Sequence, residues 1–446
     1  MKFTYIIISF LILTISNLLA EETRQVDKHE HGVGELNVAI DKNIINFEFM
    51  LPGADIVGFE YEAKEEDDIN KVKSKFAIKD GNLKIEVGEY DTSKPLRIDP
   101  LVTSRIFGGN DYDYGEALAV DLNSNTYVAG YTYSFDFPTT LDSYDPSFKT
   151  ANPPKPDCFI TKLSSEDSEI VYSTFLGSFA DDYLKGIRVN NQGRVYVTGY
   201  TGQSDSFPVT EGAYQEDNNG GFDCFVTCLN STGDFLIFST LIGGTKDDYA
   251  NAIAIDNSGN SYITGFTVNS GNFPVTDGSI STTEKGKNEV FVTKLNSDGT
   301  DLVFSTFLGG SENDFGQAIN VDILQNVYVA GITRSVDFPV TDDAFDNSYS
   351  DPDSNEEYSD CFITKIDPSG EAFIYSSYFG GNSKDAAYGL DVDPKYNVYL
   401  TGYTESSDFP TTQGCYDPTY NSNDELGRGD AFIAKFNSDF SSLDFS

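Results

Sequence analysis

From residue 101 onward the chain falls into short apolar and aromatic runs separated by Gly, Asn and Ser, and the same order of runs recurs five times. Runs of this length bounded by turn residues read as strands. Each unit opens on an aromatic-rich strand ending in Gly: Ile106-Phe107-Gly108, Phe175-Leu176-Gly177, Leu241-Ile242-Gly243, Phe307-Leu308-Gly309 and Tyr378-Phe379-Gly380, with the glycines 69, 66, 66 and 71 residues apart. An apolar strand follows around Val120, Val189, Ile255, Val321 and Val392, then an Asn/Gly/Ser turn and a Tyr-x-x-Gly strand ending at Gly130, Gly199, Gly265, Gly331 and Gly402. Phe-Pro-x-Thr comes next, its proline (Pro138, Pro208, Pro274, Pro339, Pro410) stopping strand pairing and turning the chain outward. A third strand, Cys158 to Lys162 and its equivalents, is reversed by turns such as Asn296-Ser297-Asp298-Gly299.

Four antiparallel strands in roughly 66 residues make one generous propeller blade. The pattern therefore predicts an all-β fold, a β-propeller of about five four-stranded antiparallel blades near 108–176, 177–242, 243–308, 309–379 and 380–446, preceded by a small β-rich N-terminal segment. A solenoid is the alternative packing. From the Pro of Phe-Pro to the Phe of the third strand the gap is 21, 17, 17, 23 and 22 residues, so length variation is confined to one loop position. Loops 139–157, 209–223, 340–360 and 411–430 are expected on one face, presenting Tyr144, Tyr214, Tyr349 and Tyr420 to solvent, and loops on a rigid scaffold are the usual home of binding.

The strings Tyr172 to Gly177, Ala252 to Asp256, Asn326 to Gly331 and Asp337-Phe338-Pro339 resemble the SBBP beta-propeller repeat family of bacterial exported proteins. That resemblance implies seven blades where five copies stand here, so either five blades close or the chain belongs to a larger propeller. Leu443 to Ser446 stops where a fourth strand should be completing, and Val102 to Phe107 is a surplus copy of that strand. A strand from there completing the last blade would close the ring.

Ahead of the repeats, Met1 to Ala20 carries Lys2 and an apolar run from Ile6 to Leu13, which reads as a cleaved signal peptide and predicts a secreted, periplasmic or cell-surface protein with no membrane span after cleavage. Residues 21–79 form a separate segment. His29-Glu30-His31-Gly32-Val33-Gly34-Glu35-Leu36-Asn37-Val38-Ala39, with Pro52 to Glu60, resembles the ZrgA-like family of zinc-regulated periplasmic proteins. Zinc handling is what this implies, with His29 and His31 the ligands that carry over. Two histidines supply half a site, since zinc takes three or four protein ligands. Residues 80–100 resemble the lead-in strands of SBBP proteins.

Charge narrows the partners. With 71 acidic and 29 basic residues the net charge is −42, a field that repels nucleic acid and attracts cations and basic surfaces. Asp113, Asp182, Asp248, Asp314 and Asp385 each stand five residues after a repeat Gly. They could form a carboxylate ring near the central channel, suited to Ca²⁺, or bond their own backbone in turns. Asp121, Asp256, Asp322 and Asp393 recur in the next turn, with Asn190 in the second copy, and read as hairpin chemistry. Cys158, Cys224 and Cys361 share a slot filled elsewhere by Val290 and Ala431, so buried free thiols are expected. Cys224 and Cys228, four apart on a strand, stand about 13 Å apart, beyond disulfide reach. No histidine follows His31, which removes Ser-His-Asp and Cys-His chemistry and His-ligated metal from the repeats. The reading is a non-catalytic exported binding or scaffold module for an extracellular protein, a glycan or divalent cations such as Ca²⁺ or Zn²⁺. A carbohydrate-active hydrolase or lyase using carboxylates, and periplasmic zinc handling through the N-terminal segment, are the alternatives.

Overall fold

A computed structural model describes residues 106–149, 153–165, 169–203, 206–268, 271–349, 358–421 and 429–446, together with the strands of an N-terminal sheet. Two units separate, Met1–Ile106 and Phe107–Ser446. The first holds an antiparallel sheet in which Arg24–Gln25, Glu35–Asp41, Ile44–Met50, Asn82–Val87, Ser74–Lys79 and Glu60–Tyr61 lie side by side in that order.

The second unit is built of five four-stranded antiparallel blades, and no described residue is helical. The inner strands are Asp113–Val120, Asp182–Val189, Asp248–Ile255, Asp314–Val321 and Asp385–Val392. Second strands run Thr126–Thr132, Val195–Thr201, Ser261–Val268, Val327–Thr333 and Val398–Thr404, and third strands Asp157–Leu163, Asp223–Leu229, Asn288–Leu295, Asp360–Ile366 and Asp430–Phe436. Outer strands are Ile170–Leu176, Leu236–Ile242, Leu302–Leu308, Phe373–Phe379 and Leu443–Phe445. The fifth blade thus draws its outer strand from its own hairpin, a local closure. Ile106 and Phe107 lie in no strand, and the rest of the expected closing strand, Val102 to Arg105, lies outside the described residues.

Every inner strand carries a β-bulge opposite the Tyr-x-x-Gly strand, between Gly115 and Ala117 in the first blade and between Ala250 and Ala252 in the third. The bulge pushes a carbonyl against the partner strand. A Cβ on Gly130, Gly199, Gly265, Gly331 or Gly402 would overlap the carbonyl oxygen of Tyr114, Tyr183, Tyr249, Phe315 or Ala386, so glycine is the residue that lets the two strands pair there.

The core lies between blades. One apolar cluster joins Tyr127, Ala129, Cys158 and Ile160 of the first blade to Leu184 and Ile187 of the second, and three more clusters fill the later junctions in the same way. A single blade buries neither of its faces alone, so stacking is what gives the repeat a core.

Candidate functional site

The turn between consecutive blades begins at the repeat glycine and ends on the Asp that opens the next inner strand. Each of these aspartates accepts a backbone N–H from inside that turn: Gly109 to Asp113 at 2.8 Å, Ser178 to Asp182 at 2.6 Å, Gly244 to Asp248 at 2.7 Å, Gly310 to Asp314 at 2.8 Å and Gly381 to Asp385 at 2.7 Å. The turn chemistry expected of them is therefore present in all five copies.

What the sequence reading missed is the partner. The first or second residue of each third strand is also acidic, namely Asp157, Asp223, Glu289, Asp360 and Asp430, and at four junctions it lies beside the Asp of the following blade. The backbone N–H of Asp182, Asp248 and Asp385 donates to the carbonyl one residue before the acid of the preceding blade, on Pro156, Phe222 and Ser359. A Cβ on Gly177 would stand 3.0 Å from both Asp157 Oδ1 and Asp182 Oδ2, and one on Gly309 would stand 2.7 Å from Glu289 Oε1 and 2.6 Å from Asp314 Oδ2. Glycine closes the Phe-Leu-Gly signature because two carboxylates occupy the space its side chain would need. The signal for these acids was legible, since an acidic residue precedes the Cys, Val or Ala slot in every copy, but an acidic position at a loop end reads as solvated surface.

These carboxylates are enclosed. Asp157, Asp182, Asp223, Asp248, Asp314 and Asp385 are fully buried, and Glu289 and Asp360 nearly so. One oxygen of Asp157, Asp223 and Glu289 takes an amide of the variable loop, Lys149 N–H to Asp157 Oδ2 at 2.6 Å, Asn219 N–H to Asp223 Oδ2 at 3.0 Å and Gly286 N–H to Glu289 Oε2 at 2.8 Å. The other oxygen of Asp157 and of Asp223, Oδ1, is buried without a hydrogen-bond partner. Burial pushes Asp157 up to about 8, with Asp182 adding to it. Burial likewise raises Asp182, Asp248 and Asp314 to about 7 and Asp223 and Asp385 to about 6, against hydrogen bonds that pull the other way. Two buried carboxylates side by side favour a state in which one is neutralised.

Asp113 to Asp385 do not converge on one ion, because among the described residues no group of three or more acidic, His or Cys side chains gathers. Each instead belongs to its own junction. Asp113, in the first blade, is half-exposed and accepts the Thr132 hydroxyl at 2.5 Å. His29 and His31 lie outside the described residues. Asp121, Asp256, Asp322 and Asp393 are hairpin residues as expected. Asp256, for instance, accepts the amides of Ser258 and Asn260, the Asn260 side-chain amide and the Tyr262 hydroxyl. All five cysteines are free, and four are buried.

The variable loops do not present their tyrosines as expected. Tyr144 and Tyr214 pack against the junction clusters, Tyr349 is buried with its hydroxyl donating to the Tyr358 carbonyl, and Tyr420 is half-buried. The loops serve the fold. The motif threonine pairs its backbone with the outer strand (Thr140 N–H to Ser173 carbonyl 2.9 Å, Thr276 to Ser305 3.0 Å), and Tyr144, Tyr214 and Ile280 donate to Gly233, Gly299 and Gly370 in the turn of the next blade at 2.8, 2.9 and 3.0 Å. A shallow depression of about 400 Å³ lies on the second blade, lined by Asp181, Gln203 and Phe222 of that blade, Lys155 of the first blade's loop and Asp247 of the turn into the third. Its acids are engaged, Asp181 with Lys155 at 2.5 Å and Asp247 with the Phe222 amide at 3.0 Å.

Residues 104–138, 237–274 and 374–410 match the family model described as Beta-propeller repeat, and residues 28–78 match that of the ZrgA family zinc uptake protein. No curated protein matches the chain in sequence. Among solved structures it is similar to NanB sialidase from Streptococcus pneumoniae (10% identity, 93% of this chain and 76% of that one, TM-score 0.43). It is also similar to an apocarotenoid oxygenase from Synechocystis (9%, 84% and 71%, TM-score 0.33) and to a gluconolactonase from Xanthomonas campestris (12%, 77% and 87%, TM-score 0.31). At these scores the likenesses carry no argument about activity.

Proposed function

With beta-propeller repeats as the premise, we propose that this chain is an exported, non-catalytic binding scaffold whose blade junctions take up hard divalent cations, Ca²⁺ foremost. The observation that carries this reading is the buried carboxylate pair repeated at four junctions, with oxygens of Asp157 and Asp223 left without a donor. A buried carboxylate oxygen without a partner is costly, and two facing carboxylates need either a proton or a cation between them. Ca²⁺ accepts oxygen ligands in flexible geometry. Beside each pair stands a hydroxyl from the end of the second strand, Thr201, Thr267, Thr333 or Thr404, which adds a neutral oxygen to the two carboxylates. A cation held there would lock consecutive blades.

A carboxylate-using enzyme is less well supported. The acids with raised pKa are sealed between blades rather than lining a pocket, and those in the depression are already engaged.

Thermal unfolding of the full chain near neutral pH, in chelator and then in millimolar CaCl₂, tests the proposal. Ca²⁺ is expected to raise Tm by several degrees, as a ligand of the folded state does by mass action. The rise should shrink when Asp223→Asn and Glu289→Gln are combined. An unchanged melting curve would overturn it.

A second reading has its own observation, the ZrgA match over residues 28–78. Zinc binding through His29 and His31 would then give a calorimetric heat that His31→Ala diminishes. Equal heats from the two proteins would remove it.

A further inference from the structure

Four blade junctions are filled, and among the described residues two blade faces have no blade against them. In the second, third and fourth blades the inner-strand residues Ile187, Ile253 and Ile319 are 0–1% exposed, covered by the preceding blade. The residue at that repeat position in the first blade, Leu118, is 65% exposed, and Val120 beside it is 62% exposed. On the other side, the third-strand residues Ile160, Val226, Val292 and Ile363 are fully buried by the following blade. Their equivalent in the fifth blade, Ile433, is 58% exposed, and Ala431, in the slot of the buried Cys158, Cys224 and Cys361, is exposed as well.

The loop that latches each blade to the next tells the same story. Tyr144, Tyr214 and Ile280 reach the turn of the following blade, whereas Tyr416, at the same repeat position in the fifth blade, is 90% exposed. Consecutive inner strands pack against each other from the first blade to the fifth, but no comparable contact joins the inner strands of the fifth and the first.

The two open faces are the two halves of an interface that this chain builds four times over. Each therefore has the shape and chemistry that the other receives. Exposed apolar faces of this kind mark association sites. We propose that a second copy of this chain covers them head to tail, the front of its first blade (Tyr114, Leu118, Val120) seating on the back of the fifth blade (Ala431, Ile433) beneath the Tyr416 latch. The same docking brings Asp430 of one copy to Asp113 of the other, a fifth carboxylate pair. Such an interface is heterologous, so repeated use closes a ring or extends a chain of copies. The net charge of −42 opposes association, so added salt should strengthen it.

Analytical ultracentrifugation of the full chain across micromolar concentrations, in moderate salt, is the test. Wild type is expected to associate with rising concentration. Leu118→Asp and Ile433→Asp, both at exposed positions that leave the fold intact by circular dichroism and melting, should each weaken association by roughly 10- to 100-fold or more, the scale of one large apolar contact. An equimolar mixture of the two variants retains one intact front and one intact back, and should form a dimer that grows no further. A wild type that stays monomeric throughout, variants that associate as wild type does, or a mixture that fails to pair would each overturn the proposal.

Discussion

Single side chains in this repeat are chosen in sets. In four blades a turn aspartate, a tyrosine and a lysine sit together: Lys162 lies 5.0 Å from the Tyr127 ring and 3.5 Å from Asp121, and Lys294, Lys365 and Lys435 sit over Tyr262, Tyr328 and Tyr399. In the second blade Asn190 and Cys228 replace the aspartate and lysine together, so neither charge is left alone. The junction acids make a pH prediction. Burial raises the folded pKa values of Asp157, Asp182, Asp223, Asp248, Asp314 and Asp385 to about 6 to 8, above the ordinary 3.8, so the folded state holds protons that the unfolded chain has released. This contribution to stability is full below about pH 4 and is lost as pH rises through 6 to 8. Urea midpoints in chelator should fall between about pH 5 and pH 8; a midpoint that climbs over that range would contradict it. The turn glycines give a second test. Gly299 has φ of 75° and a Cβ there would overlap the Phe238 ring, whereas Gly212, at 78°, has nothing within 4 Å. Gly212→Ala should cost about 1–2 kcal/mol for its backbone alone, and Gly299→Ala clearly more, by chemical denaturation. In the fifth blade Phe440 takes the place of this glycine at φ 59° and stacks on Tyr375 at 4.0 Å, which turns the same spot into a ring contact.

Elements in this fold are finished by the loops that leave them. The outer strand of a blade is an edge, and bare edges invite pairing with other chains. Here the Phe-Pro-x-Thr segment runs along it: Thr276 donates its amide to the Ser305 carbonyl and accepts the Ser305 amide on its hydroxyl at 2.9 Å, and Phe307 then donates to Ser281. The third and outer strands are further pinned by buried hydroxyl pairs, Thr161 with Ser173 at 2.8 Å and Thr227 with Ser239 at 2.7 Å. Thr276→Val removes one acceptor from this cover and should cost about 0.5–1.5 kcal/mol. Hydrogen exchange at the Ser305 amide should accelerate with it, while exchange in the first blade stays unchanged.

Across the whole molecule, stability is set by junctions, so a position matters according to what stacks on it. Ile253→Ala should cost about 2–5 kcal/mol, because it empties a filled junction. Leu118→Ala, at the equivalent position, should cost less than about 0.5 kcal/mol when measured at concentrations that keep the chain monomeric. Equal losses would mean that the first blade is covered after all. The acids act on this scale as well, since the pair recurs at four junctions and protonation on acidification is expected to act on all of them together.

Much of this was legible in the sequence. Five recurrences of Gly, Tyr-x-x-Gly and Phe-Pro-x-Thr fixed five blades of four strands and their order, because strands, turns and prolines obey local rules that a repeat states five times. The aspartates of the turns were legible for the same reason. The pairing of Asp182 with Asp157, and its three equivalents, was not, because the two acids are 25 residues apart and meet only when one blade stacks on the next. The fate of Tyr144 and Tyr214 was hidden likewise, since a loop tyrosine is exposed or buried according to whether a neighbouring turn reaches it. Leu118 and Ile253 carry the same pattern in sequence, yet one is open and the other sealed. Local sequence determined which surfaces each blade would make; stacking alone decided which of them would be covered, because burial depends on a neighbour that no blade contains.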